Sequence, residues 1–153
     1  MLHTVILAMH VAAGVLGVLF GPLAIAWLAR GLTGWLASAY HLSVGLVCLS
    51  AIGLAALDPA RLWWFVLIAA GSYAFAARGM AAIRSGRPGW SARAVRGFGG
   101  AYIALWTAIA VVSLPGQPLA WAVPTVVGTV VLERFAGSMG RRESAAVDRA
   151  TAA

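Results

Sequence analysis

Lysine is absent from this 153-residue chain, and acids are scarce: its basic residues are eleven arginines, set against four carboxylates. Charged residues make up 10% of the sequence, against roughly 25% in a soluble domain. That deficit excludes a wetted surface of ordinary extent. The single cysteine, Cys48, excludes an intramolecular disulfide framework; within its apolar run it reads as a small hydrophobe. No cysteine, histidine and carboxylate spacing suits the tetrahedral shell of zinc, so no metal site is expected. No basic stretch precedes the first apolar run, and no small-residue cleavage site precedes Gly21-Pro22. The first segment is therefore expected to be retained as a helix.

What is present is apolar. Hydrophobic residues make up 62% of the chain and its mean hydropathy is +0.91, with a length suited to one domain. A net charge of +7 raises the question of nucleic acid. The arginines, however, lie between long apolar runs instead of sharing a polar face with stacking aromatics, so no nucleic-acid partner is expected. Arginine-only basicity, with abundant Ala, Gly, Val and Leu, fits a bacterium of high GC content.

A membrane-spanning helix needs ~20 predominantly apolar residues. Val5–Ala29, Leu36–Leu57, Leu62–Ile83 and Gly97–Leu114 meet or approach that length. Leu119–Leu132 is shorter and holds Pro124, so it spans only if Gln117 and the Phe135-Ala136 end are included. The links expected are Arg30–Trp35, a tight turn at Asp58–Arg61 with Pro59 opening the next helix, a long loop over Arg84–Arg96, and an uncharged turn at Pro115–Pro118. From Gly137 the chain turns small, polar and charged, which reads as a mobile tail. The expected domains are thus a membrane domain over 1–136 and a cytoplasmic tail over 137–153.

Cytoplasmic loops retain arginine. Five spans put Arg30, Arg78, Arg84, Arg87, Arg93, Arg96, Arg134, Arg141, Arg142 and Arg149 on one face and Arg61 alone on the other. Four spans would send the last arginines outside. The fold class expected is an all-α integral bundle of five transmembrane helices, N-terminus out and C-terminus in, in the bacterial inner membrane. Tryptophans fit as interfacial anchors: Trp63, Trp64 and Trp121 outside, Trp27, Trp35 and Trp90 inside. Trp106 falls near mid-span.

Few polar groups are left to carry chemistry. His10, Gly14, Gly17 and Gly21 recur at helical spacing on one face. They read either as a packing groove of the small-x-x-x-small kind, with His10 hydrogen-bonded at its outer end, or as a groove cleared for a flat or lipid-like ligand. His41, Gly45, Cys48 and Ile52 share a face of the second span, with Ser38 beside it. An ionisable residue in a span is a functional candidate by default. Imidazole is a good haem ligand, so haem b on His10 or His41, or on a His41–Met80 pair, is one cofactor reading. His10 and His41 lie roughly 15–20 Å apart in depth, so one iron cannot accept both.

The remaining candidates are side chains with a plain role beside a functional one. Asp58 should cap the third helix, and Glu133 should pair with its neighbour Arg134. Tyr73 and Trp106 lie near mid-span, with Tyr102 close by, and a Tyr73–Trp106 contact is one way to satisfy both. Arg78 either snorkels to the interface or holds an anionic headgroup beside Arg93 and Arg96. Gly100, Ala104 and Ala108 form another small-residue stripe. Such stripes suit packing within the chain, in a homo-oligomer, or against a membrane partner protein.

Leu2-His3, His10-Val11-Ala12-Ala13-Gly14, the Gly21-Pro22-Leu23-Ala24 step, Tyr73, Arg78 and Arg84-Ser85-Gly86-Arg87-Pro88-Gly89-Trp90 together resemble the DUF2306-like group of small bacterial membrane proteins. The resemblance covers roughly the first hundred residues and implies a multi-span membrane location without an agreed activity. Such proteins usually carry a His-Arg pair before the second helix. Here that stretch reads Thr33-Gly34-Trp35-Leu36-Ala37-Ser38-Ala39-Tyr40, and His41 follows the aromatic. Three functions remain in view: an accessory or ligand-binding membrane component, a haem-binding redox protein, and a membrane enzyme acting on a lipid or isoprenoid.

Overall fold

The computed structural model describes the backbone of residues 1–151 and the side-chain surroundings of residues 1–141. It contains five helices: α1 (Leu2–Ala29), α2 (Trp35–Leu57), α3 (Pro59–Ser85), α4 (Trp90–Ser113) and α5 (Leu119–Thr151). All five are long and apolar enough to cross a membrane, α5 over Leu119–Arg141.

The side-chain distribution explains why these segments are helices and where they can sit. Large apolar residues point outward, among them Val5, Leu16 and Leu23 on α1, Leu42 and Leu49 on α2, and Val126, Val127 and Val130 on α5. Small ones point inward: Ala13, Gly17, Gly21 and Ala24 on α1, and Ala69, Ser72, Ala76 and Gly79 on α3. In lipid there is no hydrophobic drive to bury a leucine, so helices gain most by close approach over small residues. Backbone groups have no water partner there, and a helix satisfies them internally.

Helices α1 to α4 form a closed antiparallel ring, each packing on the next and α4 returning to α1; α5 packs outside the ring on α4. The tightest crossing is α3 on α4. A Cβ on Gly97 would collide with the backbone of Gly79 and with the Phe75 carbonyl. The largest fully buried side chains (Leu28, Tyr40, Val44, Val95 and Phe98) gather in the half of the ring near that crossing. There Tyr40 meets Phe98 edge to face at 5.1 Å, and its hydroxyl donates to the Phe98 carbonyl at 3.2 Å.

Three local features differ from expectation. The Arg84–Arg96 loop is a four-residue turn, residues 86–89, and α4 begins at Trp90, seven residues before Gly97. Gly86 at φ 57° and Gly89 at φ 73° allow the turn, because a left-handed backbone is cheap only without a Cβ. Arg93 and Arg96 consequently stand on the first turns of a helix. Second, α5 does not stop at Ala136 but runs on through the expected tail to Thr151; the Arg142 and Arg149 side chains and residues 152–153 lie outside the described residues. Third, Asp58 does occupy the N-cap of α3, with Pro59 in the first turn, but its side chain makes no cap hydrogen bond. Its backbone carbonyl accepts from Leu62 at 3.0 Å instead.

Among the residues whose side chains are described, eight arginines (Arg30, Arg78, Arg84, Arg87, Arg93, Arg96, Arg134 and Arg141) thus belong to one end of the bundle, whereas Arg61 sits beside the α2–α3 turn at the other. The ends are called here the arginine end and the Asp58 end.

Candidate functional site

Three cavities divide the polar residues. The largest, about 810 Å³, is a groove walled by α3, α4 and α5. Arg78, Arg93, Arg96 and Glu133 line its arginine end; Ile68, Phe75, Ile103, Trp121 and Leu132 line the shaft beyond. Arg96 Nε donates to Glu133 Oε2 at 3.0 Å. Glu133 therefore pairs across helices and not with Arg134, because successive residues of a helix point about 100° apart whereas α4 and α5 face each other. Arg93 Nη2 donates to the Arg87 carbonyl at 3.3 Å. Among the described residues, neither Arg78 nor Arg93 has a carboxylate within ion-pair distance. Further along, Thr107 and Thr125 bring their hydroxyl oxygens to 3.2 Å across α4 and α5.

The second cavity, about 530 Å³, is a chamber among α1, α2, α3 and α4. His10, Gly14, Phe65, Ser72, Trp106 and Ile109 are part of its wall. His10 Nδ1 lies 2.9 Å from Ser50 Oγ and 3.2 Å from the Val47 carbonyl oxygen, both on α2. The glycines of α1 divide their work. Gly17 and Gly21 admit Leu105 and Tyr102 of α4, together with Ser43 and Tyr40 of α2; they are a packing groove within the chain. At Gly14 a Cβ would meet nothing within 4 Å, and the space there is the chamber.

The third cavity, about 450 Å³, opens between α2 and α3 and is lined by His41, Tyr73, Met80 and Arg84 among others. The His41 ring leans on Tyr73 at 5.6 Å between centroids. Its Nδ1 is buried and has no hydrogen-bond partner among the described residues. His41 and Met80 thus share a wall, as their matching depth suggested. Gly45 lies one turn beyond His41, and a Cβ added there would sit 3.6 Å from the Tyr73 ring, in ordinary contact, so α2 and α3 run close together beside this cavity.

Other expected groupings come apart. Tyr73 faces His41 on α2, while Trp106 stands edge-on to Tyr102 of its own helix at 6.3 Å; the two line different cavities and form no pair. The α2 residues that hold His10 lie six to nine positions beyond His41, or about 9–14 Å along the helix. The two histidines belong to separate sites. Of the Gly100, Ala104 and Ala108 stripe, Gly100 takes Phe75, Ala108 lines the chamber, and Ala104 lines both chamber and groove.

Sequence reasoning had placed Arg78 with Arg93 and Arg96, but it had not seen Glu133 as the fourth member or the Thr107–Thr125 contact. One signal was available for Glu133: it is the sole acid in the apolar part of α5. No family model, curated protein or solved structure matches the chain.

Proposed function

We propose that the chain is a multi-pass protein of a bacterial inner membrane, N-terminus out and C-terminus in, that holds an anionic lipid in the groove between α3, α4 and α5. The observation that carries this reading is the composition of the groove: among the described residues, three guanidinium groups and one carboxylate line one end, and an apolar shaft lies beyond. An anion balances that end. Arginine's planar fork matches phosphate oxygens, and basic residues at the cytoplasmic boundary attract anionic headgroups by about 1 kcal/mol each. From Arg78 to Ile68 the groove runs ten residues of α3, about 15 Å, the depth of one leaflet in a ~30 Å core. The positive-inside rule puts the arginine end in the cytoplasm, where a lipid of the inner leaflet enters sideways. The resemblance to DUF2306-like proteins accords with this location. The role is binding, as an accessory or ligand-binding membrane component.

Lipid extraction from protein purified in mild detergent tests it. Mass spectrometry should find anionic phospholipid enriched over the bulk membrane, and an Arg78→Gln/Arg93→Gln variant should lose the enrichment. Equal lipid profiles for the two proteins would reject the reading.

A second reading, haem b on His41 and Met80, is favoured by their shared cavity. The Tyr73 ring leans on the His41 imidazole at 5.6 Å between centroids and takes up space a porphyrin would need beside it, which makes the haem reading the weaker of the two. A Soret band lost in His41→Ala would support it; colourless protein after haem supplementation would reject it.

A further inference from the structure

The chamber of α1 to α4 is separate chemistry from the groove, and its one ionisable wall residue is His10 apart from the Cys48 thiol. The protonation of His10 can be read from its neighbours. Nδ1 faces the Val47 carbonyl oxygen at 3.2 Å, and a carbonyl can only accept. It also faces Ser50 Oγ at 2.9 Å, whose own proton is directed to the Leu46 carbonyl at 2.7 Å. Were Ser50 to turn its proton to the imidazole, it would abandon that shorter bond and leave the Nδ1 lone pair facing the Val47 lone pairs. The neutral tautomer that suits both neighbours is the one with the hydrogen on Nδ1, donating to them.

No acid lines the chamber, and a charged ring is costly in an apolar span. In the neutral ring with hydrogen on Nδ1, Nε2 is a bare acceptor. It makes no hydrogen bond among the described residues. The Ser72 hydroxyl, also on the wall, directs its proton to the Ile68 carbonyl at 2.7 Å.

The chamber volume, about 530 Å³, falls in the ~300–1,000 Å³ range of small-molecule sites, which are mostly apolar with a few placed polar groups. Phe65 and Trp106 give it aromatic walls, and Gly14 keeps space open one helical turn from His10. We propose that this chamber binds a lipid-soluble quinol, the hydroxyl of its ring donating to His10 Nε2 and its apolar tail lying among the walls. The tautomer sets the selectivity. A quinol hydroxyl donates to Nε2, whereas the corresponding quinone offers only acceptor oxygens and meets Nε2 lone pair to lone pair. The site therefore takes the reduced form over the oxidised form. This proposal is independent of the anionic-lipid reading, since the arginines of the groove take no part in it.

The experiment uses the full chain in lipid nanodiscs, titrated by calorimetry with decylubiquinol under reducing conditions and with decylubiquinone. Saturable quinol binding about tenfold tighter than quinone is expected, the worth of roughly one hydrogen bond. His10→Phe should erase the difference between the two. Gly14→Leu, whose side chain enters open space, should abolish both while the protein stays folded. Arg78→Gln should leave the titration unchanged. Histidine ¹⁵N spectra should show the His10 hydrogen on Nδ1. Absent binding, equal affinity for quinol and quinone, or indifference to Gly14→Leu would overturn the proposal.

Discussion

Arg96 on α4 and Glu133 on α5 form an ion pair at 3.0 Å that joins the outlying helix to the ring at its arginine end. Both side chains are about half exposed, at 44% and 54%, and exposed pairs contribute only about 0–1 kcal/mol. The pair matters more for the charge it places in the groove. Glu133→Gln removes the one carboxylate that lines the groove among the described residues and frees Arg96 to bind another anion. Thermal unfolding in detergent should therefore change by at most a few degrees, while retained anionic lipid rises. Reduced lipid in that variant would contradict the role given to the arginines.

Close packing at the α3–α4 crossing makes a sharper prediction. Gly97→Ala drives a methyl into the Gly79 backbone, and backbone cannot move aside as a side chain can. Overpacking costs typically 1–3 kcal/mol, and the crossing must widen. A fall in unfolding temperature of several degrees is expected. Gly14→Ala, with nothing within 4 Å of its new methyl, should leave the unfolding temperature in place. Paired melts of the two variants check whether the glycines differ as the geometry says.

The helices and the arginine bias were legible because hydropathy and charge are additive along a chain. Seeing the Arg78, Arg93 and Arg96 group needed only depth along the helices. What failed were the features decided across helices. Glu133 went to its neighbour Arg134 because sequence adjacency does not show which helix face meets which. Tyr73 was set against Trp106 at equal depth, but depth carries no azimuth, and the ring of four turns Tyr73 toward α2. The Arg84–Arg96 segment read as loop because arginines lower its hydropathy, although a helix can carry them at an interface where their long stems reach water. The Gly79–Gly97 crossing went unnoticed because small residues recur along both helices, Ser72, Ala76 and Gly79 on α3 and Ala94, Gly97 and Ala101 on α4, and sequence does not show which stripe meets which.

His41 presents the one buried, unpartnered side-chain nitrogen among the described residues. A buried polar atom without a hydrogen bond costs about 1–3 kcal/mol, and a leucine of similar size removes the polar atom while keeping contact with Tyr73. His41→Leu should hold or raise the unfolding temperature of the purified protein. A marked fall instead would mean that Nδ1 has a partner in the membrane, and the cavity shared with Met80 and Arg84 is where to seek it.

The proposed orientation rests on parity and charge together. Five crossings would put the two termini on opposite sides, and the positive-inside rule would make the arginine end the cytoplasmic one. The native Cys48 is buried, so a Cys48→Ala background should fold and leave the chain without thiols. In that background His3→Cys should react with an impermeant maleimide on intact cells, and Ser144→Cys only after permeabilisation. The pair is needed because each alone is ambiguous: an unreactive cysteine can be shielded, but a position that labels only after permeabilisation was on the inner side. Labelling of both from outside would require an even number of crossings. Then α5 would lie along the membrane, and the groove it forms with α3 and α4 would face water instead of a leaflet. In that case the lipid reading would fail with the topology, since its shaft would have no acyl chains beside it.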